Sequence, residues 1–137
     1  MDYRVILYHK QGTSARTRFL KLDTNSVCLF DPIPMPADLL QSDTTNTINH
    51  PSAILRETER RFDFPAGSLK AEMEFRQTVE VPGESIQIML AAITTVDPPF
   101  EDAEKKGARF IDLTQARGLP EIELLLLRQA YELVMGG

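Results

Sequence analysis

Three arginines and two glutamates crowd into residues 56–61: Arg56, Glu57, Glu59, Arg60 and Arg61. A guanidinium meets a phosphate or carboxylate through parallel N–H donors. Arg56, Arg60 and Arg61 are therefore candidate ligand-binding residues for an anion or a nucleotide phosphate. The plainer alternative is a solvated helix face, with the arginines salt-bridged to Glu57 and Glu59. The two histidines, His9 and His50, stand alone, at a strand end and a helix start. Neither comes with a serine or cysteine arrangement that announces a nucleophilic triad. The single cysteine, Cys28, lies in a β-forming run and reads as a small core residue.

The elements around these residues follow from pattern. Residues 3–9 read as a strand, being rich in β-formers. Residues 18–21 and 26–30 read as two more strands around the Asp23-Thr24-Asn25 turn. Residues 31–36 carry three prolines and fit neither a central strand nor a helix interior. Residues 41–49 are polar and read as a long loop. A helix opens at His50-Pro51, because proline suits the first helical position, and it carries the arginine cluster. Residues 70–81 alternate in character, turn at Pro82-Gly83-Glu84, and return through residues 85–96 as a hairpin. Residues 100–106 read as an acidic loop, 108–113 as a strand and 114–117 as a helical turn. Pro120 then opens a terminal helix over residues 121–135, with four leucines at 124–127. The sum is one α/β (α+β) domain over residues 1–137, with a mixed sheet sandwiched between helices.

Composition removes several functions. The net charge is −5, from 15 basic and 20 acidic residues, which disfavours non-specific nucleic-acid binding. No stretch reaches the roughly 20 apolar residues of a membrane helix. The N-terminus lacks the pattern of a signal peptide. One cysteine and two histidines nearly exclude a thiolate- or imidazole-rich zinc site. With one cysteine no intrachain disulfide forms, so the expected setting is reducing and cytoplasmic. Four leucines in a row exceed one buried stripe, which makes a homodimer contact a possible partner surface.

Three stretches together resemble the Nudix hydrolase superfamily: HPSAILRETERRFDF (residues 50–64), EFRQTVEVPGESIQIMLAAI (74–93) and EDAEKKGARFIDLTQARGLPEIELLLLRQAYEL (101–133). A Nudix helix reads Ala-x-x-Arg-Glu-hydrophobic-x-Glu-Glu-x-Gly-hydrophobic. Ala53, Arg56, Glu57 and Phe64 match it. The resemblance implies a mixed sheet between helices and, in active members, glutamates that hold Mg²⁺ or Mn²⁺ against a diphosphate. The pattern's paired glutamates fall on Arg60 and Arg61, its late glycine on Asp63, its opening glycine on Ser42 and its upstream glutamate on Ile48. Of the family's catalytic carboxylates only Glu57 keeps its place, and Glu59 sits about 100° around the helix from register. Arginine neither deprotonates nor ligates a cation.

The resemblance thus implies a degenerate, non-hydrolytic member with no cofactor, binding a nucleotide-like ligand or a protein partner. Such a binder would hold a pocket between residues 38–49 and the hairpin, with arginines facing it. The alternative is an active metal-dependent hydrolase of nucleoside diphosphate derivatives. It would need Mg²⁺ or Mn²⁺ on Glu57, Glu59 and loop acids such as Glu101 or Glu104. A third reading is a structural or interaction protein of unrelated fold.

Overall fold

Two strands, β1 (Asp2–Lys10) and β6 (Glu84–Ile93), lie side by side and parallel at the centre of the sheet. Their side chains alternate between its faces. Ile6, Tyr8, Ile86, Ile88 and Leu90 belong to one apolar cluster, and Val5, Leu7, Met89, Ala91 and Ile93 to another. A sheet apolar on both faces must be covered on both. Helix α3 (Glu121–Gly136) covers the first face with Ile122, Leu126, Leu127 and Ala130. Helices α1 (Pro51–Phe62) and α2 (Phe100–Lys105) cover the second with Leu55, Phe62 and Ala103. This computed structural model describes residues 2–12, 16–40 and 50–136.

Outward from the central pair the order is β3 (Asp38–Leu39), β5 (Gln77–Val81), β6, β1, β2 (Thr17–Leu22) and β7 (Ala108–Ile111). A further short strand, β4 (Leu69–Ala71), also pairs with β6. Every pairing but β1–β6 is antiparallel. The mixed sheet between helices expected from the sequence is the fold observed. The β5–β6 hairpin turns at Pro82-Gly83, with Gly83 at a left-handed φ of 84°. Helix α1 starts at Pro51, as its missing N–H allows.

Several elements differ from the sequence reading, each for a local reason. Residues 26–30 do not form a strand; only the bridges Leu22↔Ser26 and Val5↔Leu29 remain. The Val27 N–H donates to Glu123 Oε1 and the Cys28 N–H to Ser26 Oγ, so neither joins a ladder. Residues 70–81 are two strands, not one. Met73 is exposed, and the Phe75 N–H turns back onto the Glu72 carbonyl. Residues 100–106 hold α2 instead of a loop. Glu101 and Asp102 sit in its first turn and Lys105 in its last, the charge order that suits a helix dipole. Ala103 anchors it in the core. Strand β3 was not expected. Residues 41–49, read as a long loop that holds the Ser42 and Ile48 departures from the family pattern, lie outside the described residues.

Candidate functional site

Helix α1 buries a narrow stripe, Leu55, Thr58, Glu59 and Phe62, against the sheet. At 100° per residue the remaining side chains sort onto two flanks. Arg56 and Arg60 lie on the flank towards β4, and Ile54 and Arg61 on the other. The arginines read as one cluster are therefore divided, and the three do not converge on a single point.

Glu59 is 2% exposed and fully engaged. Its Oε1 accepts the Gly67 N–H at 3.0 Å and its Oε2 accepts the Leu69 N–H at 2.9 Å. Arg56 Nη2 donates to Oε2 at 2.8 Å and to the Leu69 carbonyl at 3.1 Å. The Arg56–Glu59 pair thus staples α1 to the turn that leads into β4. A carboxylate used this way has little left to offer a cation. Glu57 is half-exposed and takes both of its contacts from Arg60 Nη2, at 3.0 and 3.1 Å. Arg61 sits over the end of an aromatic column. Its guanidinium carbon sits 3.6 Å from the Phe30 ring centre. Phe30 stacks on Phe62 at 5.5 Å, and Phe62 on Phe64 at 5.1 Å.

On the β4 flank, a groove of about 400 Å³ is lined by Ala53, Arg56, Glu59, Arg60, Phe64 and Ala66. Its floor is apolar, and Arg60 stands at its rim 75% exposed. Most of the loop side of the pocket expected between residues 38–49 and the hairpin lies outside the described residues. Among the described residues, a cleft of about 540 Å³ beside the hairpin is lined by Asp38, Glu80 and Glu84 with Pro36, Pro82 and Ser85.

The residues of α1 do not fit Mg²⁺ or Mn²⁺. Glu59 is committed to backbone donors, Glu57 to Arg60, and the next two positions are guanidiniums. Among the described residues no three His, Cys, Asp or Glu side chains gather into a metal-holding group. Asp63 occupies the αL conformation after α1, at φ 59°, where a glycine is the easier residue. Its side chain reaches Lys106 at 3.4 Å.

The lone histidines stay apart from this site. His9 is buried, and its Nε2–H donates to the Thr95 carbonyl at 2.7 Å. His50 takes a left-handed φ of 55° ahead of α1. Cys28 is buried, and burial, reinforced by the Glu123 carboxylate, holds its thiol well above the usual range. The four leucines divide as well: Leu126 and Leu127 are fully buried, while Leu125 is 37% exposed.

The sequence reading passed over Glu123. It is fully buried and ties α3 to the chain after β2, accepting the Val27 N–H at 2.8 Å and the Ser26 hydroxyl at 2.9 Å. The signal was available, since Glu123 shares helical spacing with Leu126, Leu127 and Ala130 and so sits in the apolar stripe. Arg4 was also missed. It is buried and donates to the carbonyls of Tyr3, Asp31 and Pro32. Tyr8 donates its hydroxyl to Glu72 at 2.8 Å; burial first, then that carboxylate, raises its pKa.

The chain matches no protein-family model and no curated protein. No helix among the described residues is long and apolar enough to cross a membrane.

Proposed function

We propose that this chain is a Nudix-like domain with a degenerate motif, one that binds a phosphate-bearing, nucleotide-like ligand and does not hydrolyse it. The observation that carries the reading is the state of the α1 carboxylates. Glu59 is spent on the Gly67 and Leu69 amides, and Glu57 faces Arg60. Hydrolysis by a bound metal would need several carboxylates free on one face, and α1 offers at most Glu57, in a weak surface pair with Arg60. Binding is supported by the groove beside Arg56 and Arg60. Arg60 is the phosphate partner: it is exposed, and its contact with Glu57 is a surface pair of small strength. Arg56 holds the groove's shape through Glu59. The apolar floor at Ala53, Phe64 and Ala66 suits the flat body of a nucleobase or a similar group.

The test is phosphate release from pooled nucleoside diphosphate derivatives, with Mg²⁺ or Mn²⁺ and a coupled phosphatase. No turnover is expected with either metal. Turnover abolished by Glu57→Gln would replace this reading with that of an active hydrolase.

A further inference from the structure

The two edges of the sheet carry like-charged cross-strand pairs of opposite sign. At one edge Lys21 of β2 stands directly opposite Arg109 of β7. At the other, Asp38 of β3 stands directly opposite Glu80 of β5. Side chains so placed lie about 5 Å apart at Cβ, and like charges there destabilise a sheet. Among the described residues neither pair has a counter-charge in ion-pair or hydrogen-bond contact. A chain with 15 basic and 20 acidic residues had ample means to neutralise both. β7 and β3 are also the terminal strands of the sheet, and among the described residues no further strand pairs with either.

Charge on an edge strand ordinarily keeps like edges apart. Here β7 against β7 brings four cations together, and β3 against β3 four anions. The unlike edges attract. We infer that copies of this chain associate edge to edge, with the Lys21–Arg109 edge of one against the Asp38–Glu80 edge of the next. Lys21 and Arg109 share the α3-side face with Phe19 and Ile111. Asp38 and Glu80 alternate with Leu39, Val79 and Val81 and so project on the α1 side. A half-turn of the second copy about the axis across the strands brings the two pairs onto one side of the joint. The contact is heterologous, so it leaves one free edge of each kind and extends to chains of copies, not to a closed dimer.

Sedimentation velocity of the full chain, over a concentration series at about 0.05 M and about 0.5 M NaCl, tests this. The weight-average mass rises with concentration at low salt and returns to the monomer at high salt, where screening shortens to a few ångströms. Two double variants sharpen the result: Lys21→Glu with Arg109→Glu, and Asp38→Lys with Glu80→Lys. Each is monomeric alone at low salt, with the circular dichroism of the parent, and an equimolar mixture of the two associates again. A parent chain monomeric throughout would overturn the inference. So would association that survives both double variants but is lost on Leu125→Glu, which would place the contact on α3.

Discussion

Arg56 and Glu59 meet at 2.8 Å across one turn of α1, and through that pair the helix is fastened to the start of β4. Arg56 is partly exposed while Glu59 is buried, so the carboxylate is the member whose loss leaves groups unsatisfied. Two backbone amides and a guanidinium would then lose their acceptor. The same fastening explains why a helix rich in charge has so little of it free for chemistry.

Replacing Glu59 by alanine therefore costs about 3 kcal/mol, the range for breaking a buried, hydrogen-bonded charge. The thermal midpoint falls by on the order of 10 °C. Glu57→Gln removes only a surface pair and changes stability by less than about 0.5 kcal/mol. Urea melts of both variants check the contrast. Equal, small effects would mean that Glu59 is not the clamp described.

Glu123 gives the fold a pH signature. Burial raises its pKa, against the opposing hydrogen bonds from Val27 and Ser26. A carboxyl with a raised folded pKa binds its proton more tightly folded than unfolded. Its contribution is fully present below the unfolded value near ~4.3 and is lost as pH rises through the folded value. Glu123→Gln keeps the shape without the charge. The stability difference between variant and parent should favour the variant progressively from pH 4 upward, then level off. A difference independent of pH would contradict the account. Asp112 acts in the opposite sense. Its hydrogen bond from Arg16 lowers its pKa, so its stabilisation is present above the unfolded value and lost as pH falls through the folded one. Comparing variant with parent cancels that background.

Much of the fold could be read from residues alone. The apolar centre of β6, Pro51 at the start of α1 and Pro120 ahead of α3 each act through local rules. The run at residues 26–30 misled because its β-formers are real, yet the Cys28 N–H goes to Ser26 and the Val27 N–H to Glu123, far along the chain. Helix α2 is under two turns, too short for a period, and Ala103 in the core decides it. At the site, the arginines and glutamates were visible as residues. Their division over two flanks needed the buried stripe, and the fate of Glu59 needed the turn at Gly67.

Adding carboxylates to α1 tests the proposed Nudix-like register of that helix. Arg60→Glu with Arg61→Glu places two acids beside Glu57 and releases it from its arginine. The double variant should bind Mn²⁺ in the millimolar range, read by water-proton relaxation, where the parent shows no specific binding. Equal enhancement for both proteins would contradict the proposed register.

Loss of the Arg61 stack should register in stability and spare ligand binding. Arg61→Ala uncovers Phe30 and removes a cation–π contact, costing about 1 kcal/mol. Because Arg61 lies on the flank away from the groove, its affinity for an anion should match the parent. A large loss of affinity would put the ligand on the Phe30 side.

The most direct measurement is calorimetric titration of the full chain with ADP in the presence of a chelator. Saturable binding without metal is predicted, weakened about tenfold or more by Arg60→Ala, the expected loss of a charge-assisted hydrogen bond. The thermal midpoint of that variant should stay close to the parent's. No binding to the parent, or equal binding to the Arg60→Ala protein, would contradict the proposed role of the α1 groove.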